Sequence, residues 1–296
     1  MKSEFPTMKL SALAEIQTGP FGSQLHKEDY VKKGTPIVTV EHLGNKNFTK
    51  QNLPCVSDKD KIRLNKYILK TGDIVFSRVG SVDRCSYVSK SYDGWMFSGR
   101  CLRVRPGKML NAEYLYYFFL LDSTKQFVRN IATGATMPSI NTKFMGEVPV
   151  VVPPLTVQEK IVDVLRNLDD KIQLNTEINK NLEAQAQAYF LDRFIANADS
   201  TWPQGTLSDL GTVVGGGTPS KKHPEYYSEH GIPWITPKDL SVDKSKFISH
   251  GENDISDLGF SNSSAMKMPE GTVLFSSRAP IGYIAIASNV VTTVMK

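Results

Sequence analysis

Cysteine is scarce: Cys55, Cys85 and Cys101 are the only three in 296 residues, and no two of them share a CxxC spacing. An odd count without that spacing argues against a disulfide framework or a zinc ribbon, so ordinary reduced thiols are expected. The histidines His26, His42, His223, His230 and His250 are scattered, and no HExxH occurs, so the usual metal-site spacing is missing. No run approaches 18 consecutive apolar residues, and the opening Met1-Lys2-Ser3-Glu4-Phe5-Pro6 lacks the apolar core of a signal peptide. No membrane partner and a cytoplasmic location are therefore expected. Gly215-Gly216-Gly217 is followed by Thr218-Pro219, not by the GK[ST] ending of a Walker loop. The serines of Phe275-Ser276-Ser277-Arg278 lie outside a GxSxG elbow. No carboxylate cluster of nuclease type stands out either. These absences point to a chain that performs no covalent chemistry and holds no metal or other cofactor.

What the chain does have is unevenly placed basic charge and an internal duplication. It is 40% hydrophobic and 22% charged, with a net charge of +5, which is enough apolar content for one or two cores. Residues 1–153 hold 22 Lys and Arg against 13 Asp and Glu. Residues 154–201 hold 5 against 8, and residues 202–296 hold 8 against 9. The basic excess sits in the first stretch, as phosphate contact requires, because affinity for a nucleic acid is largely counterion release.

The duplication is seen by setting Leu10-Ser11-Ala12-Leu13 beside Leu207-Ser208-Asp209-Leu210. The same offset of 197 places Gly19 on Gly216, Gly34 on Gly231, Pro36 on Pro233, Thr39 on Thr236 and Leu43 on Leu240. At an offset of 199, Gly72-Asp73-Ile74-Val75-Phe76-Ser77 falls on Gly271-Thr272-Val273-Leu274-Phe275-Ser276, and a further slip of one aligns Arg78 with Arg278. So long a period excludes a solenoid. On this spacing Lys296 corresponds to Phe97, and the second copy is expected to be incomplete.

Residues 1–153 read as a mixed α/β module. Thr35–Val40 and Asp73–Ser77 are β-prone runs bounded by turn residues. A helix is predicted from Asn111 to about Asn130, with Asn111 as N-cap and Tyr114, Leu115, Phe118, Leu121 and Phe127 at helical spacing. A turn-rich loop over 132–138 precedes a β-prone run, Glu147–Val152, which Pro153-Pro154 ends. Thr156 and Glu159 have the spacing of a capping box. Beyond them Ile161, Leu165, Leu168 and Ile172, then Ile178, Leu182, Ala186 and Tyr189, form an apolar stripe uninterrupted by Gly or Pro. About 36 helical residues at about 1.5 Å each make a rod of about 54 Å. A lone rod of that length exposes its stripe, so pairing with another helix is expected, with Asn175 and Asn179 near the seam. From Trp202 the second module begins, with Ile232–Ile235 and Thr272–Ser276 as its clearest strands.

The run Gly134-Ala135-Thr136-Met137-Pro138-Ser139-Ile140-Asn141, followed by Val148-Pro149-Val150-Val151-Val152-Pro153-Pro154-Leu155-Thr156-Val157-Gln158-Glu159-Lys160-Ile161, resembles the signature of specificity (S) subunits of type I restriction–modification enzymes. The segments Gly72–Arg78 and Gly231–Leu240 resemble the openings of that family's two modules. The resemblance spans essentially the whole chain and is strongest over residues 133–172. It implies two target-recognition domains, each reading half of a split site in double-stranded DNA, with long helices setting the distance between half-sites. The expected domains are 1–153, a helical spacer over 154–201, and the N-terminal part of a second domain over 202–296.

The resemblance also implies partners: methyltransferase subunits docked on the helices, and restriction or motor subunits attached through them. S-adenosylmethionine, ATP and magnesium would belong to those partners. Candidate DNA contacts are Gly19, Ser23, Arg78, Arg84 and Arg100 in the first module and Lys221, Lys222 and Arg278 in the second. Arginine suits this role because its fork reads guanine or holds a phosphate bidentately. Ile161, Leu165, Leu168, Ile172 and Leu182 are the candidates for helix pairing and partner docking. A full subunit would supply a second helical region to cover that stripe. Without one, a homodimer through the long helix is expected. The alternative to a non-catalytic subunit is a stand-alone metal-dependent restriction nuclease. A protein-interaction scaffold without DNA contact is a third reading, disfavoured by the basic first module.

Overall fold

The structure, a computed structural model, describes residues 5–22, 24–134, 136–278 and 281–294. Its two compact units are Met1–Phe190 and Leu191–Lys296. The first runs through β1 (Thr7–Lys9), β2 (Ala14–Thr18), β3 (Tyr30–Val31), β4 (Thr35–Val38), β5 (Cys55–Val56) and a short helix α1 (Asp58–Arg63). Strands β6 (Ile74–Ser77), β7 (Cys85–Tyr87), β8 (Met96–Phe97) and β9 (Cys101–Pro106) follow. Helices α2 (Ala112–Leu120), α3 (Asp122–Ile131) and α4 (Thr142–Gly146) then lead to β10 (Pro149–Val151) and the long α5 (Leu155–Phe190). This is the expected mixed α/β class with a long helix.

Among the described residues, this unit holds two four-stranded sheets, in the orders β2-β9-β6-β7 and β3-β5-β4-β8, and the pair β1-β10. Strand β6 explains how they are layered, because all four of its residues are buried. Successive side chains of a strand point to opposite faces. Ile74 and Phe76 enter an outer core with Leu102, Val104, Leu115 and Phe119. Val75 turns the other way, into an inner core with Ile37, Val38, Phe97 and Cys101. The Phe76 and Phe119 rings meet nearly edge to face at 4.7 Å, a favoured aromatic geometry.

Asn111 caps α2 as expected, accepting from the amides of Glu113 (3.0 Å) and Tyr114 (3.2 Å). The single helix expected to Asn130 is instead two, because Leu121 is extended at φ −60°, ψ 134°. Helix α2 buries Tyr114, Leu115, Tyr116, Tyr117 and Phe119, whereas α3 buries only Thr124 and Val128. An almost fully enclosed helix and a surface helix need different axes, and the exposed Leu121 lies between them. Asp122 begins α3, where a carboxylate suits the positive helix end.

The capping box expected from Thr156 and Glu159 does not form. Helix α5 already includes Thr156, and the Pro154 carbonyl accepts from the amides of Val157 (2.9 Å) and Gln158 (3.1 Å). Proline suits this entry because a missing N–H costs nothing at a helix start.

The second unit begins with a π-helical stretch, Leu191–Ala196, then α6 (Leu207–Leu210), β11 (Tyr227–Ser228), β12 (Ile232–Ile235) and α7 (Pro237–Val242). It continues with β13 (Phe247–Ile248), β14 (Asn253–Ile255), α8 (Asp257–Ser261), β15 (Val273–Phe275), β16 (Ile284–Ala287) and β17 (Thr292–Thr293). The sheet β11-β14-β12-β17 repeats β3-β5-β4-β8, including the final parallel pair. A Cβ on Gly34 would lie 2.1 Å from the Val56 carbonyl oxygen, and one on Gly231 would lie 2.4 Å from that of Ile255. Both copies therefore need glycine for one and the same backbone approach.

Register corrects one alignment. Val38 pairs with Phe97 and its counterpart Ile235 with Thr293, so Phe97 corresponds to Thr293 and not to Lys296. The turn after β16 is shorter than Ser89–Gly94, which closes the offset that a constant spacing had carried forward.

The second unit also differs in burial. Leu13 is 4% exposed and its counterpart Leu210 is 86% exposed. Val273, Phe275 and Ile284, counterparts of the buried Ile74, Phe76 and Cys85, are exposed too. Among the described residues, nothing equivalent to β9 and α2 lies on that face.

Candidate nucleic-acid interface

Strand register gathers the first unit's loops at one end. Thr18 of β2 lies opposite Leu102, Ser77 of β6 opposite Cys101, and Phe76 opposite Cys85. The chain therefore leaves β2 and β6, and enters β7 and β9, at the same edge. The amide of Ser98 donates to the Val38 carbonyl at 2.8 Å, which adds the loop after β4. Bridges of Ser139 to Val79 and Thr133 bring in the glycine-containing loop 133–139.

Between the loop after β2, the segment after β4 and the loop that enters β9 lies a cleft of about 570 Å³, lined by Phe21, Leu25, Tyr30, Thr39, Glu41 and Arg100 among others. Its walls need glycine: a Cβ at Gly19 would sit 2.1 Å from the Ser98 carbonyl oxygen, and one at Gly99 would sit 2.2 Å from that of Pro20. Gly19 is itself buried and its amide is committed to the Cys101 carbonyl at 3.1 Å. It shapes the cleft and does not present a contact, a correction to its place among the candidate DNA contacts. Ser23 lies outside the described residues.

Arg78 and Arg100 are brought together, since the Arg78 amide donates to the Arg100 carbonyl at 2.8 Å. The Arg78 guanidinium lies 5.6 Å from the centre of the Phe21 ring, and its Nη1 donates to the Gly99 carbonyl at 3.1 Å. Its Nε is buried without a hydrogen-bond partner. Arg100 is exposed at the mouth. Arg84, at the far end of the same hairpin loop, also ties two segments together. Its Nη2 donates to the Leu43 carbonyl, and Gly44, at φ +120°, packs so tightly on it that a Cβ would lie 2.9 Å from Nε. Arg84 is nevertheless exposed at the surface of this loop. A neighbouring hollow of about 510 Å³ holds Gly80, Asp83, Arg84 and Arg129, and there Arg129 pairs with Asp83 at 2.7 Å.

Part of the basic excess is internal as well. Arg103 is buried and paired with Glu15, and Arg105 grips the buried Asp73 with two bonds of 2.7 Å. These charges are neutralised within the fold and are not available to a ligand.

The helix candidates divide. Ile161, Leu168, Ile172 and Leu182 are exposed along α5. Leu165 instead packs against the outer core with Val162, a correction to its place on the pairing face. Gln158, fully buried, anchors the helix: its Oε1 accepts from the Asn111 amide (2.8 Å), and its Nε2 donates to the carbonyls of Met109 (3.0 Å) and Pro153 (2.8 Å). Further along, Arg166 pairs with Glu113, and Asp169 meets Lys46 and Tyr117. The sequence reading missed this cluster, because its members come from three separate segments and no local spacing joins them.

In the second unit Lys221 and Lys222 are exposed in the turn before β11, and Arg278 is exposed in the loop after β15. These loops correspond to those after β2 and β6 in the first unit. His250 lies 3.4 Å from Asp254, four residues on, a pairing the sequence reading overlooked. Among the described residues no three His, Cys, Asp or Glu side chains converge as a metal site, and no helix is long and apolar enough to cross a membrane.

An α/β module thus occurs twice along the chain, with a long and largely exposed helix after its first copy. The chain belongs to the family of the type I restriction modification DNA specificity domain, whose family model matches residues 2–184 and 199–295. It is 44% identical over 104 residues to the type I restriction enzyme MjaIX specificity subunit of Methanocaldococcus jannaschii, covering 35% of this chain and 24% of that one. It is 23% identical over 299 residues to the HindI specificity subunit of Haemophilus influenzae, covering 75% and 64% respectively. The chain thus spans less than two-thirds of the length of these relatives. The crystal structure of a type I restriction–modification S subunit from M. genitalium shares the fold, with a TM-score of 0.51 at 14% identity over 98% of this chain and 70% of that one.

Proposed function

We propose that the chain is a non-catalytic specificity subunit that reads half-sites in double-stranded DNA and holds the methyltransferase subunits of a type I restriction–modification enzyme in the cytoplasm. The observation that carries this reading is that the DNA specificity model matches both copies of the repeat. In each copy, basic residues stand in corresponding loops. In the first, Arg100 lines a cleft of about 570 Å³ and the Arg78 guanidinium packs on Phe21 of its wall. That arrangement suits an arginine that reads a base edge or clamps a phosphate. Lys221, Lys222 and Arg278 supply the same chemistry in the second.

Methyl transfer, ATP hydrolysis and cleavage fall to partner subunits, with S-adenosylmethionine, ATP and magnesium bound there. Restriction or motor subunits attach through the methyltransferase. The exposed face of α5 carrying Ile161, Leu168, Ile172 and Leu182 is the docking and pairing surface, for those subunits or for a second copy of this chain.

The test is reconstitution with the methyltransferase subunits and measurement of DNA affinity across a salt series. Arg78→Ala with Arg100→Ala should weaken binding and flatten the slope of log K against log salt by about one unit for each phosphate that is no longer neutralised. Unchanged affinity and slope would refute this face. DNA cleavage by the purified chain and magnesium alone would refute the non-catalytic assignment.

A further inference from the structure

Helix α5 packs against the first module along its first turns. Gln158 and Val162 are buried and Leu165 is partly so, whereas residues 170–190 are exposed without exception. Beyond Leu165 the module meets α5 through a polar group at Asp169. Its Oδ2 accepts from Tyr117 Oη (2.7 Å) and from Lys46 Nζ (3.0 Å). Lys46 Nζ also donates to Tyr117 Oη (2.8 Å) and lies 3.4 Å from Glu113, which Arg166 pairs from α5. Lys46 sits on a loop tied to the sheet, since its carbonyl accepts from the Tyr87 amide at 2.9 Å. Beside it, Ser86 Oγ accepts from the Gly44 amide (3.2 Å) and donates to the Asn45 carbonyl (2.6 Å). Arg84 holds the same loop through Leu43.

We infer that Lys46, Tyr117 and Asp169 form a brace that fixes the angle at which α5 leaves the module, and so the position of the helix's exposed face relative to the cleft. Hydrophobic packing near the root of a helix resists lifting but allows tilt. A directional hydrogen-bonded triad farther along the helix resists tilt. About 20 residues project beyond Asp169, an arm of about 30 Å at about 1.5 Å per residue, so a swing of about 10° moves its tip by about 5 Å. That displacement exceeds the 3.4 Å rise of one base pair of duplex. The inference rests on the proposed function only for what the angle serves; the brace itself is a property of this chain.

The duplication supplies an independent contrast. Lys246 stands where Lys46 does, its carbonyl accepting from the Ile286 amide at 2.8 Å, yet among the described residues no carboxylate pairs with it. The lysine belongs to the repeated loop, and the brace arises where α2 and α5 bring Tyr117, Glu113 and Asp169 to meet it.

The test measures an angle, without DNA. Spin labels on Lys59→Cys and Glu183→Cys, in a Cys55→Ser background and diluted with unlabelled chain, report the distance from module to helix arm. A control pair, Lys59→Cys and Asn130→Cys, reports the module alone. Lys46→Met and the milder Tyr117→Phe should shift the module-to-arm distance by about 4 Å or about double its spread, while the control pair stays unchanged. Lys46→Arg should restore most of the narrow distribution. An unaltered module-to-arm distribution in both variants overturns the brace. Equal broadening of the control pair overturns it as well, because the cluster would then be holding the module together and not aiming the helix. Loss of DNA binding with the distances intact would count against the DNA reading and leave the brace standing.

Discussion

Replacing Gln158 with leucine should uncouple α5 from the first module. The side chain is fully buried and makes three hydrogen bonds: one from the Asn111 amide at 2.8 Å, and two to the carbonyls of Met109 and Pro153 at 3.0 and 2.8 Å. Leucine fills nearly the same volume and satisfies none of them. An orphaned buried polar group costs about 1–3 kcal/mol, and carbonyls tolerate it better than amides. With some return from burying leucine, the net loss should be about 3 kcal/mol. At about 1.4 kcal/mol per factor of ten, hydrogen exchange over residues 107–115 and 155–168 should quicken about 100-fold. Mass spectrometry of the intact chain reads those segments separately from the second unit. A change of less than about tenfold would refute the anchoring role.

Gln158→Glu adds a sign test. A carboxylate facing two carbonyls and buried has its folded pKa raised above the unfolded value. Its stability is fully present below the unfolded pKa and lost as pH rises through the folded one. Exchange corrected for intrinsic rates should therefore be slower at acid pH than at neutral pH, opposite to an ordinary salt-bridged glutamate.

Three further outcomes are expected. Arg84→Met should lower the thermal midpoint of the first unit, through loss of its bond to Leu43, a cost of about 1–2 kcal/mol, while leaving the salt slope of DNA binding unchanged. A flattened slope in calorimetric or fluorescence titrations would show that Arg84 touches phosphate after all. Leu168→Asp should leave the isolated chain folded, because the side chain is exposed there, yet cost several kcal/mol wherever a partner helix buries it; sedimentation that shows unchanged assembly would refute this pairing face. Burial pushes the Cys85 and Cys101 thiols up to about 12, so iodoacetamide at mildly alkaline pH should modify Cys55 in the native chain and reach the other two only on unfolding. Rapid native labelling of Cys85 would refute its enclosure.

Local chemistry was legible in the sequence and long-range packing was not. Asn111 announced its cap, and Ile232–Ile235 was read to its ends, because turn residues and alternation act within a few positions. The duplication was visible because Gly34 and Gly231 meet the same steric demand in both copies. The break at Leu121 was hidden because no glycine or proline marks it; the surroundings of α2 and α3 impose it. Thr156 and Glu159 had the spacing of a capping box, but Pro154 had already started the helix. Among the site residues, Arg78 and Arg100 converge because β6 and β9 pair, whereas Arg84 is claimed by Leu43, 41 positions away in the chain. Leu165 had the spacing of the pairing stripe and was taken by its own core. Lys46, Glu113, Tyr117 and Asp169 carried no local signal at all.

The two-faced strand β6 has a consequence for how the module can be built during synthesis. Every residue of the inner core lies between Leu25 and Cys101, so that core can close once the ribosome has released this one stretch. The outer core joins Leu10 to Val162 and must wait for the aromatic helix and the root of α5. Ile74 and Phe76 therefore sit for a time as a finished but naked surface on the emerging chain, as Val273 and Phe275 do in the second unit. During that interval the nascent chain presents an apolar sheet to its surroundings, and it is the arrival of α5 that ends its exposure to chaperones.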